Sequence, residues 1–200
     1  MMCTQSESFE LKIHVLDLAQ IRTVYRERLI RDFPVDEVKP LPMIERALKR
    51  GDYCCYGGFS GDNLMAYAFF VTVQEQGKSL WLFDYLAVEE NHRDHGIGSA
   101  FLQALSKEVL SAADIVLLEI DDPDHAEGEE RIRRLRRAAF YSRNGLINTN
   151  VTARVFGVDF RILEIPLRGS HSPDECRLCY SACYQHMLPP MLYRRMVHIS

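Results

Sequence analysis

The chain has 200 residues, of which 47% are hydrophobic and 26% charged, a composition typical of a globular protein with one domain. Its formal net charge of −4 argues against a protein that wraps a polyanion such as DNA and suits a cationic substrate better. The longest apolar run, LMAYAFFVTV, is about half the length of a membrane span, and the first residues lack the pattern of an export signal. We therefore expect a cytoplasmic protein that binds neither nucleic acid nor membrane.

The first half of the chain predicts two helices followed by three antiparallel strands. Apolar residues recur at helical spacing in LAQIRTVYRERLIRDF, which Pro34 ends, and in PMIERALKRG, which Gly51 ends. The β-rich runs YCCYGGF and NLMAYAFFVTVQ flank SGDN, a turn typical of hairpins. A third strand, SLWLFDYLAV, follows the turn at Gly77.

The second half predicts a βαβ unit, a helix and a pair of strands. SAFLQALSKEVL carries the apolar stripe of a helix, and ADIVLLEI has the apolar content of a buried strand. In the helix EGEERIRRLRRAAFYSRNG, we expect the buried face to contain Ile132, Leu135 and Ala139, and the arginines to pair with the acids of DDPDHAEGEE. TARVF and VDFRILEIPL are predicted to pair about Gly157, and GSHSPDE to link them to a C-terminal helix.

The C-terminal segment has two interpretations. The spacing Cys-x2-Cys-x3-Cys-x2-His, from Cys176 to His186, offers four donors for a tetrahedral zinc site. As a helix, the same segment places six residues on one inward stripe: Cys176, Cys179, Tyr180, Cys183, Tyr184 and Met187. We favour the helix and expect no metal, because structural zinc sites usually form on turns. The tail could also form a homodimer surface or cover the site.

The turn EENHRDHGIGSA joins the strand SLWLFDYLAV to the next helix and contains Gly96 and Gly98. The first amides of a helix have no partner within the helix, and such amides bind anions. Glycine lets a phosphate approach them and adopts positive φ at little cost, and Arg93 could add a forked charge. The turn lacks the third glycine of a Rossmann fingerprint and the Gly-Lys-Ser/Thr of a Walker loop, which argues against both of those nucleotide-binding motifs.

The segment LAVEENHRDHGIGSAFLQAL resembles the acetyl-coenzyme A signature of the GNAT N-acetyltransferase superfamily, in which an apolar strand precedes Arg/Gln-x-x-Gly-x-Gly/Ala. AAFYSRNGL resembles a second recurring GNAT segment, and the chain looks most like a bacterial branch of unsettled substrate. The resemblance implies an α/β fold of the α+β type, with a GNAT-like mixed, mostly antiparallel twisted sheet, one central βαβ unit flanked by helices, and a C-terminal helical extension. Residues 1–168 would form the acetyltransferase domain, and residues 169–200 an extension packed on it.

The resemblance also implies how acetyl-CoA would bind as co-substrate. Leu86, Ala87 and Val88 would pair with the pantetheine arm like an extra strand. The pyrophosphate would lie on the turn formed by Arg93, Asp94, His95, Gly96, Ile97, Gly98 and Ser99. The side chains of His92 and His95 are expected to face solvent.

Acetyl transfer to a primary amine requires a base, a polarised thioester carbonyl and a proton for the departing thiolate. Asp84 and Glu119 are predicted to lie near the carboxyl ends of buried strands, where either could act as base or could instead pair with an arginine. A backbone N–H near Leu86 or Ala87 could stabilise the oxyanion. By the resemblance, Tyr141 would protonate the thiolate; otherwise it is a packed aromatic residue at the helix end.

The function predicted from these residues is N-acetyl transfer from acetyl-CoA to a small-molecule or peptide amine. The alternative is an acyl-CoA-binding sensor or interaction module of the same fold without catalysis. The acceptor and the acyl chain do not follow from the sequence.

Overall fold

The computed structural model describes residues 11–35, 37–93 and 95–200. Within these ranges, eight strands form one sheet in the order β1-β2-β3-β4-β5-β7-β6-β8. Their bounds are β1 Lys12–Val15, β2 Tyr53–Ser60, β3 Asn63–Glu75, β4 Lys78–Val88, β5 Ile115–Asp121, β6 Ile147–Val155, β7 Val158–Glu164 and β8 Val197–Ile199. The pair β4 and β5 is parallel, and the other neighbouring strands are antiparallel. The sheet is therefore mixed, with the parallel pair of the βαβ unit near its centre.

Helix α1 begins as Leu18–Val24, continues through a π-helical turn at Tyr25–Leu29 and ends with Ile30–Asp32. The other helices are α2 Leu41–Arg50, α3 Ile97–Glu108, α4 Gly128–Arg143, α5 Pro173–Met187 and α6 Pro190–Met196. Local signals set several ends: capping boxes start α1 and α5, and Gly51, at φ +81°, ends α2. Within the described ranges, no helix combines the length and the apolar character that a membrane span requires.

The helices cover both faces of the sheet. Side chains of α1, α2 and α5 share one hydrophobic core with β2, β4 and β5, whereas α3 and α4 pack on the other face. The two faces are called here the α5 face and the α3 face. On the α5 face, Cys176, Cys179, Tyr180 and Cys183 are fully buried. Because burying one large side chain stabilises a fold by about 1.5–3 kcal/mol, α5 is an integral part of this core.

The predicted elements are largely confirmed, and the C-terminal segment is the helix that its stripe indicated. Among the described residues, no group of three or more His, Cys, Asp or Glu is arranged to hold a metal. Three elements were missed: the edge strands β1 and β8 and the short helix α6. Strands of three or four residues are too short for alternation to distinguish them from loops.

The predicted inward face of α4 is wrong. Ile132 is 50% and Leu135 44% exposed, and Ala139 is exposed as well. The inward face instead carries Tyr141 and the stem of Arg134, whose guanidinium donates to Glu130 and to the Asp122 carbonyl. An arginine can line an inner face when its head group finds such acceptors, which hydrophobic spacing does not register.

The expected pairing of the α4 arginines with nearby acids is confirmed. Arg133 pairs with Glu130 at 2.8 Å, and Arg137 lies 3.5 Å from Asp121. These arginines therefore have acidic partners within the protein. The expectation that they form no nucleic-acid patch stays a prediction.

Candidate active site

The paired strands β4 and β5 separate near their carboxyl ends. Their last paired residues are Phe83 and Leu118, although β4 continues to Val88 and β5 to Asp121. Beyond this point β5 pairs with β7 on its far side, and β4 pairs with β3. Within the described ranges, no strand occupies the gap between them. A gap between two separating strands presents backbone groups that an extended ligand can meet.

The residues predicted to hold the pantetheine arm lie along this gap. Leu86, Ala87 and Val88 are the last residues of β4, are partly exposed and pair on one edge with β3. The other edge of this segment faces the side from which β5 has departed. All three thus lie where an added strand could pair, and their role in binding stays a prediction.

The glycine turn leads from β4 into α3. Gly96 adopts φ +80° directly before the helix, and a Cβ there would meet no atom within 4 Å. A Cβ on Gly98 would instead approach the Phe140 ring to 3.1 Å and the Val88 side chain to 3.4 Å. Gly98 therefore allows the start of α3 to pack against α4 and β4, a structural role beside the predicted access for phosphate.

The other residues of the turn differ in exposure. Ile97 is buried, so only its backbone amide can face a ligand, while Ser99 is partly exposed. His95 is exposed, as expected, and its Nδ1 lies 2.7 Å from the Arg93 carbonyl; His92 is partly exposed. Asp94 lies outside the described residues.

Arg93 is directed toward α1 and the end of β4. Its Nε donates to the Val88 carbonyl at 3.2 Å, and its Nη2 lies 3.3 Å from a carboxylate oxygen of Asp32. The Arg93 side chain is about half exposed. A phosphate on the turn would have to compete with Asp32 for Arg93, and the predicted phosphate contact stays a prediction.

Asp84 lies in a bulge of β4. Phe69 pairs with Tyr85 and Phe70 with Phe83, so Asp84 is an extra residue between them. Bulges redirect side chains and occur often beside active sites. The Asp84 side chain is 5% exposed, forms an ion pair with Lys39 and accepts a hydrogen bond from the Tyr53 hydroxyl. Its predicted ionic partner was an arginine; the partner is instead a lysine from the loop after α1.

Glu119 follows the last paired residue of β5, as Asp84 follows that of β4, so the two occupy adjacent register positions. Its carboxylate accepts hydrogen bonds from the Tyr180 hydroxyl at 2.8 Å and from the Tyr184 hydroxyl at 2.8 and 3.0 Å. Among the described residues, no Lys, Arg or His lies within ion-pairing distance of Glu119. The predicted arginine partner is therefore not found there.

Burial raises the pKa of Glu119 from its ordinary value of 4.5 to about 7. Hydrogen bonds from Tyr184 and Tyr180 and the charge of Lys39 act in the opposite direction, while the charge of Asp84 adds to the increase. The residue nevertheless keeps partial exposure to solvent. A carboxyl group with these properties can exchange protons near neutral pH.

The loop after α1 is held against β4 by Tyr85. Its hydroxyl accepts a hydrogen bond from the Lys39 amide at 2.8 Å and donates to the Glu37 carbonyl at 3.1 Å. The same loop supplies the Lys39 ammonium to Asp84. This loop therefore borders the two carboxylates.

Tyr141 is on the α3 face of the sheet, whereas the partners of Asp84 and Glu119 are on the α5 face. It is 3% exposed, and its ring packs edge-on against Phe140 with the centroids 5.2 Å apart. Arg137, one turn earlier on α4, interacts with Tyr141 through charge and a side-chain hydrogen bond. The structure thus brings two of the three predicted catalytic residues together and places the third across the sheet.

Sequence reasoning missed four side chains around the carboxylates: Lys39, Tyr53, Tyr180 and Tyr184. The two tyrosines of α5 were recognised only as part of an apolar stripe. A usable signal was present, because a buried tyrosine hydroxyl usually has a hydrogen-bond partner. Which partner it finds depends on the packing of α5 against the sheet.

A cavity of about 890 Å³ lies elsewhere. It is bordered by Leu80 and Ile115, near the amino ends of β4 and β5, and by residues of α5 and α6. The opposite ends of these strands carry Asp84 and Glu119. We place the candidate active site at the carboxyl ends, because the perturbed carboxyl group and the strand gap both occur there.

Comparisons with known proteins identify the family and the fold. The model of the GNAT acetyltransferase family matches residues 18–128. A Bacteroides thetaiotaomicron protein assigned to the GNAT acetyltransferases superimposes with a TM-score of 0.62 at 16% identity, over 82% of this chain and 90% of that chain. No match is found among curated proteins.

Two further structures have the same fold. A Bacillus subtilis acetyltransferase in complex with CoA has a TM-score of 0.54 at 17% identity, covering 78% of this chain and 98% of that one. A ribosomal-protein alanine N-acetyltransferase from Escherichia coli has a TM-score of 0.55 at 16% identity, covering 81% and 97%. The predicted fold class is confirmed.

Proposed function

We propose, from the premise that this chain belongs to the GNAT acetyltransferase family, that it transfers an acetyl group from acetyl-CoA to a primary amine by direct attack. The observation that carries the proposal is Glu119, a carboxyl group without a cationic partner among the described residues, beside the gap between β4 and β5. The acceptor is a small-molecule or peptide amine, and the cytoplasmic location stays a prediction.

Glu119 is the base in this proposal. An ammonium group must lose a proton before it attacks, and a carboxylate with a pKa of about 7 accepts that proton directly or through water. Asp84 is less suited, because it is already ion-paired with the Lys39 ammonium, whereas the partners of Glu119 are neutral hydroxyl groups. We assign Asp84 to anchoring Lys39 and the loop that carries it.

The gap and the turn fit the co-substrate. Acetyl-CoA supplies the activated acetyl group, and Leu86, Ala87 and Val88 would hold its pantetheine arm by the strand edge that does not pair with β3. The amides at the start of α3 would hold the pyrophosphate. A backbone N–H near Leu86 or Ala87 would stabilise the oxyanion. Residues 1–168 form the acetyltransferase unit in this proposal, and residues 169–200 the extension.

The test of the cofactor site is Gly96→Val with Gly157→Val as its control. Both glycines have positive φ, +80° and +89°, and a Cβ added at either would meet no atom within 4 Å, so valine introduces similar backbone strain. We expect Gly96→Val to weaken coenzyme A binding at least tenfold by calorimetry, because the strained turn would no longer direct its amides at phosphate. Equal affinities in the two variants would contradict the pyrophosphate site.

Tyr141 is proposed as the acid that protonates the departing thiolate. It would reach the gap from the α3 face while Glu119 reaches it from the α5 face. Tyr141→Phe should lower turnover roughly 10- to 100-fold and leave coenzyme A affinity unchanged, because only proton transfer is lost. Normal turnover would remove Tyr141 from the mechanism.

The alternative, a sensor that binds acyl-CoA without catalysis, makes a different prediction. Such a protein would bind coenzyme A tightly yet yield no acetylated product from a panel of amines, amino acids, polyamines and peptides. Mass spectrometry of that panel distinguishes the two functions.

A further inference from the structure

Helix α5 lies outside residues 18–128, to which the family model applies, yet two of its side chains reach the candidate active site. Tyr180 donates to Oε2 of Glu119 at 2.8 Å, and Tyr184 lies 2.8 Å from Oε1 and 3.0 Å from Oε2. The two rings pack against each other with their centroids 4.9 Å apart. Both oxygens of the carboxylate therefore contact the extension.

The two tyrosines have little freedom to move. Tyr180 is fully buried and Tyr184 nearly so, at 7% exposure. Their helix is anchored by Cys176, Cys179 and Cys183, which are fully buried in the same core. Because rotation of either ring would require repacking of this core, the hydroxyl groups hold the carboxylate in a defined orientation.

Hydroxyl groups differ from cations as partners of a carboxylate. A lysine or arginine would favour the charged form strongly, whereas a neutral hydroxyl orients the carboxylate with a smaller effect on its basicity. A carboxylate can accept about four hydrogen bonds, so the three contacts from the two hydroxyl groups leave acceptor capacity for the proton of a substrate.

We propose that helix α5 is part of the active site, with Tyr180 and Tyr184 as positioning residues for the Glu119 carboxylate. The inference rests on the proposed function of Glu119 as base. It assigns the C-terminal extension a role in the reaction in addition to its role in the core.

The surroundings of Glu119 determine in which direction its pKa should change when a tyrosine hydroxyl is removed. The tyrosine hydrogen bonds and Lys39 lower the pKa of Glu119, while burial and Asp84 raise it. Burial raises the pKa of Tyr180 and Tyr184 well above the ordinary tyrosine value, so both remain protonated donors. Removal of either hydroxyl should therefore raise the pKa of Glu119 further.

The first measurement needs no substrate. In the full chain labelled with isotopic glutamate, NMR follows the titration of the Glu119 carboxyl carbon, whose signal is identified by its absence in Glu119→Gln. Tyr180→Phe and Tyr184→Phe should each raise the midpoint by about one pH unit. Tyr193→Phe is the matched control: its hydroxyl lies 2.8 Å from the Ser181 hydroxyl within the same extension, and the midpoint should stay unchanged.

The second measurement is the pH dependence of turnover with an amine identified by the panel. Loss of a tyrosine hydroxyl should move the acidic limb to higher pH, so the rate falls near pH 7 and recovers at higher pH. A merely structural defect would lower the rate at every pH. Tyr193→Phe should reproduce the wild-type profile.

Two results would overturn the inference in distinguishable ways. An unmoved Glu119 midpoint in folded Tyr180→Phe and Tyr184→Phe would remove the positioning role and leave the proposed acetyl transfer intact. Wild-type turnover in Glu119→Gln would remove the base itself, and with it both the proposed mechanism and this inference.

Discussion

Asp84 and Glu119 occupy adjacent register positions beside the same gap, yet their surroundings differ. Asp84 faces a lysine and a tyrosine. Glu119 faces two tyrosine hydroxyl groups from a later part of the chain. Both residues are partly exposed. Two similar carboxyl groups at equivalent positions in neighbouring strands therefore have different partners.

This difference in partners is the reason why we propose Asp84 as an anchor for Lys39 and Glu119 as the base. A carboxylate paired with a cation forms a strong charge-assisted contact that fixes the position of its partner. A buried carboxylate whose nearest donors are neutral takes up a proton more readily, and the pKa of Glu119 near 7 reflects this. Pairs of titratable groups with divergent surroundings often indicate which one performs acid–base chemistry.

The largest effect expected from this comparison is on turnover. Glu119→Gln should lower it by about 10²- to 10⁴-fold, because the amide cannot accept the proton of the ammonium group, while coenzyme A affinity stays the same. Asp84→Asn should retain more activity than Glu119→Gln. Steady-state kinetics of the two variants at pH 8 gives the ranking, and the reverse order would exchange the roles assigned here.

A second effect concerns stability. The pKa of Glu119 is higher in the folded protein, about 7, than its ordinary value of 4.5. The contribution of Glu119 to the stability of the fold is therefore present below pH 4.5 and is lost as the pH rises through 7. The free energy of unfolding falls by at most about 3 kcal/mol over this pH range, which corresponds to a decrease of several degrees in Tm.

Glu119→Gln should remove this dependence, so its Tm relative to the wild type rises between pH 5 and pH 8. Thermal unfolding monitored by circular dichroism at both pH values measures the change. Glu108→Gln, at an exposed position of α3, is the control. A Tm difference that is the same at both pH values would contradict the raised pKa.

The smallest expected effect concerns the influence of the Asp84 and Lys39 charges on the pKa of Glu119. Asp84→Asn removes a negative charge that raises the pKa of Glu119, so the acidic limb of turnover should move to lower pH. Lys39→Met removes a positive charge that lowers it, so the limb should move to higher pH. Shifts of under about one pH unit are expected for each. Movement in the same direction would show that these charges do not act on the base.

Much of the fold follows from local patterns. The glycine turn, the hairpin at SGDN and the βαβ unit were predictable because glycine positions and apolar spacing act over a few neighbouring residues. The inner face of α4 was predicted wrongly, since apolar spacing pointed to Ile132 and Leu135 while Arg134 found acceptors on Glu130 and Asp122. Such a pairing depends on what lies opposite the helix.

The order of residues is sufficient to indicate the acetyl-CoA signature, because Arg93, Gly96 and Gly98 lie within one turn, where backbone and ligand requirements are local. It also identified both carboxylates as candidates, since each lies near the carboxyl end of an apolar strand. The choice between them required the folded chain. Lys39 is 45 residues from Asp84, and Tyr180 is 61 residues from Glu119, so only packing determines which carboxylate meets a cation and which meets neutral hydroxyl groups.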